Sequence, residues 1–171
     1  MSASQVDAAV SSIAGAIAKR TPSMSFPLAI VGIHTAGVPL AIKIRAELEK
    51  LGLESSFGQL DIALYRDDAG LGTGVPVVHG TDIAFEVDGA RIVLVDDVLF
   101  SGRTIRAAMD QLMDFGRPAL VELAVLIDRG HRQLPIQPDY CGMRVETSPT
   151  DHIKARIDLE GAGSSVFLAK R

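Results

Sequence analysis

The chain has 171 residues, 47% hydrophobic and 22% charged, which fits one folded domain and excludes a mostly disordered polymer. Its single cysteine, Cys141, excludes a disulfide framework or a Cys-rich zinc site, and its net charge of −4 argues against a protein that grips nucleic acid mainly through phosphates. No apolar run approaches the ~18 residues of a spanning helix, and the first ten residues lack the basic start and apolar core of a signal peptide, so a cytoplasmic protein is expected.

Val6, Val10, Ile13 and Ile17 recur at helical spacing and predict an amphipathic helix ending near Lys19 and Arg20, before Thr21-Pro22. The apolar run 28–33 predicts a buried strand. Residues 38–51 predict a helix, with Pro39 in its first turn and Gly52 just past its end. Residues 60–64 read as a strand. Residues 67–82 hold four glycines, a proline and no Lys or Arg, the composition of a lid or binding loop. Residues 91–97 form the strongest strand signal, 103–115 a helix closed by Gly116 and Pro118, and 119–127 another apolar strand. Two short strand-like runs, 153–159 and 165–168, close the chain. Alternating strands and helices predict an α/β fold, a mainly parallel sheet with helices on both faces. No repeat, linker or low-complexity segment interrupts it.

The chemistry concentrates in residues 92–104. A buried strand delivers Asp96 and Asp97 to its C-terminal end, where ligands of open α/β sheets bind. A short loop then opens a helix through Ser101, Gly102, Arg103 and Thr104. Amide N–H groups at a helix N-terminus attract an anion, Gly102 admits a phosphate closely, and two hydroxyls add donors. Carboxylates beside a phosphate cradle suit a ligand with vicinal hydroxyls about one sugar away, a ribose 5-phosphate. A strand followed by an acidic turn and a capped helix is the plain structural alternative.

The stretch resembles the phosphoribosyl pyrophosphate signature of the type I phosphoribosyltransferases. Together with Gly32-Ile-His-Thr-Ala-Gly37, residues 60–68 and residues 123–135, it looks like the group of bifunctional pyrimidine-operon regulators and uracil phosphoribosyltransferases. The resemblance implies one domain over 1–171, with a lid loop at about 66–82 and a small hood at about 128–150 plus parts of the C-terminus. It implies that Asp96 and Asp97 hold the ribose hydroxyls, and that Val98, Leu99, Phe100, Ser101, Gly102, Arg103 and Thr104 complete the ribose and 5-phosphate site. Thr35, Ala36 and Gly37 match the pyrophosphate loop, where the family places a non-proline cis peptide before the glycine. Arg66, beside Tyr65 and Asp67, would pair with pyrophosphate oxygens as the lid closes, neutralising the leaving group and excluding water. Val98, Ile127, Asp128 and Arg129 would face the base, with Asp128 alternatively holding Mg²⁺ through water. Read without the resemblance, Gly37 is a turn glycine, Arg66 a solvated arginine and Arg129 a structural ion-pair partner. His131 and Arg132 would orient the hood, and Cys141 would pack.

The implied reaction converts uracil and phosphoribosyl pyrophosphate to UMP and pyrophosphate, with Mg²⁺. The enzyme positions the reactants and neutralises charge. Purine-using relatives often carry an acid where this chain has Phe100, and the group usually has tyrosine there. Phe100 transfers no proton, which disfavours a purine substrate. The alternative is a UMP-responsive RNA-binding attenuator of the pyrimidine operon. Against it, the first helix has no basic residue before Lys19, Gln137 and Pro149 stand where basic residues are expected, and Arg20, Arg132 and Arg144 remain. Catalysis is therefore expected to be retained and RNA attenuation to be weak or absent. The resemblance also implies a homodimer or a larger homo-oligomer.

Overall fold

The computed structural model describes residues 1–62, 80–159 and 163–169. Helix α1 runs Ala3–Arg20, strand β1 Leu28–Ile33 and helix α2 Gly37–Lys50. Strands β2 (Ser56–Leu60) and β3 (Asp82–Ile83) follow, then β4 (Arg91–Leu99), helix α3 (Arg103–Met113) and β5 (Leu120–Asp128). The chain closes with β6 (Tyr140–Arg144), β7 (His152–Arg156) and β8 (Ser165–Ala169).

The main sheet has the order β3-β2-β1-β4-β5-β6 and is parallel apart from the two-residue edge β3. Alternation along the strands sorts the core into two layers, because successive side chains leave opposite faces. Leu28, Ile30, Val93 and Val95 meet α1 and α2 through Val10, Ile13, Ile17, Leu40 and Ile44. Ala29, Val31, Ile92 and Leu94 meet α3 through Ile105, Ala108 and Leu112. The central strands are buried on both faces, which explains why β1 and β4 read as continuous apolar runs rather than alternating ones.

Several elements differ from the expectation. Of the strand expected at 60–64, residues 63–64 lie outside the described residues, and β2 is Ser56–Leu60, held in register by Ala29 opposite Ser56 and Ile33 opposite Leu60. The backbone ladder with β1 sets it despite a polar pattern. The edge strand β6 was not anticipated and divides the expected hood range, since Tyr140–Arg144 pairs with β5 in the main sheet. Glycine lowers the strand propensity of β6, yet here it is required. A Cβ on Gly142 would lie 2.7 Å from the Leu126 carbonyl and 3.0 Å from the Ala9 side chain. The terminal runs pair as the antiparallel hairpin β7–β8 outside the main sheet. No helix among the described residues is long and apolar enough to cross a membrane.

Candidate active site

The parallel strands converge at their C-terminal ends, and there the structure brings most of the expected site residues together. Strand β4 ends at Leu99, with Val98 opposite Ile127 and Leu99 opposite Asp128 on β5. The expected base-facing residues Val98, Ile127 and Asp128 therefore share one patch of sheet. The side chain of Leu99 is buried in the α3 layer, which leaves only its backbone available to a ligand.

On the other side of β4, the loop after β1 crosses the strand end. A Cβ on Gly37 would fall 2.3 Å from the Val95 carbonyl and 3.1 Å from the Asp96 Cα. Only glycine allows the loop carrying Thr35 and Ala36 to rest on the strand that bears the acids. Helix α2 starts at this glycine with no side-chain cap, leaving its first amides open to a ligand. The expected cis peptide is His34–Thr35, at the head of the loop rather than directly before Gly37.

Asp96 is buried, and its Oδ1 accepts the Asp97 amide N–H at 3.0 Å. Burial pushes the Asp97 carboxyl above its ordinary value, opposed by hydrogen bonds from Asp96 and from the Val98 amide. Beyond Phe100, Gly102 takes a left-handed conformation (φ 92°) and caps α3, while Ser101 Oγ accepts the Arg103 amide at 3.4 Å. Thr104 lies in the first turn of that helix. The Arg103 side chain turns outward, its Nε donating to Gln133 Oε1 at 3.0 Å, so it contributes to the loop by its backbone.

Phe100 lies under the Arg129 guanidinium, 4.2 Å from its ring centroid, with the His131 ring edge-on at 5.9 Å. Arg129 itself is 6% exposed and donates to Thr147 Oγ1 and the Ser148 carbonyl. It holds the segment after β6, and it forms no ion pair with an acid among the described residues.

The Asp128 carboxylate meets an amide and a guanidinium. Its Oδ1 accepts both the Gly130 amide at 3.0 Å and the Arg132 guanidinium, and its Oδ2 lies 4.0 Å from Arg144 Nε. Arg132, 13% exposed, thus holds one of the two Asp128 carboxylate oxygens. No group of three His, Cys, Asp or Glu suited to a metal exists among the described residues. Arg66, with Tyr65 and Asp67, lies outside the described residues, as does most of the expected lid.

A cavity of about 690 Å³ opens beside this patch, lined among others by Asp128, Arg129, Arg144, Val145 and Thr147. Val145, Glu146 and Thr147 were not anticipated from sequence. Their position follows from β6, and the run Tyr-Cys-Gly-Met-Arg-Val is its one local signal. Cys141 is half-buried on β6, donates to the Met143 carbonyl, and has its thiol pushed up by burial. It packs, as expected.

With this geometry the comparisons agree. A family model described as phosphoribosyl transferase domain matches residues 2–160. A protein of Roseiflexus sp. (strain RS-1) named bifunctional protein PyrR is 48% identical over 172 aligned residues, covering 99% of this chain and 93% of the relative. A protein of the same name from Deinococcus deserti is 44% identical, covering 98% and 92%. Among solved structures, a Trypanosoma cruzi hypoxanthine phosphoribosyltransferase in a ternary substrates complex superposes with a TM-score of 0.70 at 17% identity, over 89% of this chain and 81% of that one. A hypoxanthine phosphoribosyltransferase from Staphylococcus aureus superposes with a TM-score of 0.66 at 14% identity, over 88% and 77%.

Proposed function

The chain belongs to the phosphoribosyl transferase domain family, in the group of the bifunctional PyrR proteins, and from that premise we propose that it converts uracil and phosphoribosyl pyrophosphate to UMP and pyrophosphate. The observation that carries the reading is the contact of Gly37 with the Val95 carbonyl. It supports the reading by bringing the loop of Thr35, Ala36 and Gly37 against the strand end that carries Asp96 and Asp97.

In this reading Asp96 and Asp97 accept the ribose hydroxyls, and the 5-phosphate takes the amides and hydroxyls of residues 100–104. The amides at the start of α2 receive the pyrophosphate, with Arg66 arriving from the lid. The base enters beside Val98 and Ile127, against the cavity bordered by Val145. Phe100, covered by Arg129, offers no proton acceptor, so the chain contributes positioning and charge neutralisation rather than acid–base chemistry there. Mg²⁺ is proposed as a companion of the diphosphate oxygens, its preferred ligands, with no protein cage.

Purified protein given phosphoribosyl pyrophosphate, Mg²⁺ and a panel of uracil, orotate, hypoxanthine and adenine should form product with uracil alone. Product with hypoxanthine or adenine overturns the assignment.

A second reading, a UMP-responsive regulator acting on pyrimidine leader RNA, is favoured by the name bifunctional that the relatives carry. Of the three arginines left for such a surface, Arg20 is paired with Glu122 at 2.7 Å and Arg132 is turned into the protein. Arg144 alone of the three is largely exposed, at 78%. We therefore infer weak RNA binding. Submicromolar, UMP-enhanced retention of the organism's own leader RNA on filters at physiological salt would sink that inference.

A further inference from the structure

Arg132 follows β5 in the segment 129–136, outside the residues assigned to substrate. Its side chain is 13% exposed and its charge meets Asp128. Its remaining donors all end on backbone carbonyls. Nε donates to Ile136 at 2.9 Å, and Nη1 to Phe100 at 2.8 Å, Gly130 at 3.1 Å and Leu99 at 3.4 Å. Neighbours in the same segment continue the pattern. The Arg129 amide donates to the Leu99 carbonyl at 3.1 Å, and the Gln133 and Leu134 amides donate to the Ser101 carbonyl at 3.0 and 3.2 Å.

Three consecutive carbonyls, those of Leu99, Phe100 and Ser101, are thus drawn toward 129–134. The one cis peptide among the described residues is His34–Thr35, so these three peptides are trans. A planar trans peptide carries its C=O and N–H on opposite edges. The amides of Phe100, Ser101 and Gly102 must then face away from the 129–134 segment. Successive amides aimed at one side form an anion-binding concavity. The guanidinium supplies the planar, multi-donor head this needs, and lysine cannot reproduce it.

We propose that Arg132 is a positioning residue that aligns the amides of residues 100–102 for the 5-phosphate, acting through the carbonyls of Leu99 and Phe100. The proposal rests on the reading of this loop as the phosphate site. It assigns Arg132 to ligand geometry from behind the loop, with no contact to substrate.

The test compares ligands that differ only in the phosphate. UMP and uridine are titrated calorimetrically against wild-type protein, Arg132→Lys and Arg132→Gln, with the thermal midpoint of each recorded. UMP affinity should fall roughly 10- to 100-fold in both variants, the span of lost charge-assisted hydrogen bonds, while uridine affinity stays within about twofold. Equal loss of UMP and uridine, or retained UMP preference in folded variants, overturns the positioning role alone. A wild-type protein that does not prefer UMP to uridine overturns the phosphate reading and the proposal with it. Should neither variant fold, amide resonances of wild-type protein decide. Phe100, Ser101 and Gly102 should shift with UMP and not with uridine, and their insensitivity to UMP overturns the alignment.

Discussion

Strand β4 begins at Arg91 and ends at Leu99, and its two ends treat charge in opposite ways. At the start, Arg91 is fully buried and Glu122 is 1% exposed. Arg91 Nε donates to Glu122 Oε2 at 2.7 Å, Nη2 to the Tyr140 hydroxyl at 2.9 Å and Nη1 to Thr21 Oγ1 at 2.9 Å. Tyr140 donates onward to Glu122 Oε1 at 2.9 Å, and burial, then Glu122, pushes its phenol above the ordinary value. The network joins the residue just after α1 to β4, β5 and β6 and satisfies its own members. At the far end Asp96 and Asp97 sit side by side, and Asp97 is held against its charged form by burial. Charge is neutralised where the sheet is only being held together, and two acids are gathered at the end proposed to receive the ligand.

The contrast can be broken at the buried end first. Glu122→Leu leaves Arg91 without its carboxylate, and should cost about 3–5 kcal/mol of stability, measured by urea unfolding, with turnover per folded molecule unchanged. At the other end Asp97→Asn should lower turnover about 100-fold, near 2.7 kcal/mol of barrier, in a phosphoribosyl transfer assay. Its stability should move the other way. A carboxyl raised in the folded state holds its proton more tightly there than when unfolded, so its contribution is greatest below the ordinary value of 3.8 and is lost as pH rises through the raised value. Asn removes that loss, so the thermal midpoint of Asp97→Asn at pH 7 should equal or exceed that of wild type.

Gly37→Ala tests the contact between the pyrophosphate loop and β4. Relief of a 2.3 Å approach to the Val95 carbonyl needs backbone movement. We expect about 1–3 kcal/mol of lost stability, with a raised KM for phosphoribosyl pyrophosphate and a smaller change for uracil. Cys141→Ala gives the smallest effect, within about 1 kcal/mol by thermal unfolding and with turnover unchanged, because the thiol packs as a small apolar group.

Much of this was legible in local sequence. The helix and strand expectations for α1, β1, α2, β4, α3 and β5 fall within a few residues of the observed elements, since each carries a strong apolar period or run. The dyad Asp96-Asp97 and the loop to Thr104 were readable because one strand and its following turn supply all of them. Strands β2 and β6 were less accessible. Their pairing comes from β1 and β5, and Gly58 and Gly142 weaken the local signal that propensity would provide. The pairing of Asp128 with Arg132 was hidden for a similar reason. Nothing in a run of residues tells which acceptors a guanidinium reaches.

The sequence alone determined the fold class, the succession of strands and helices along most of the chain, and the short run from Asp96 to Thr104 in which the candidate chemistry concentrates. These depend on periodicity and on neighbours within about ten positions. Tertiary structure decided which arginines are spent inside the protein, that Asp128 pairs with Arg132, and that β6 lies beside the end of β5. Those outcomes depend on contacts between residues far apart in the chain, and burial, not residue type, fixes what a charged group can still bind.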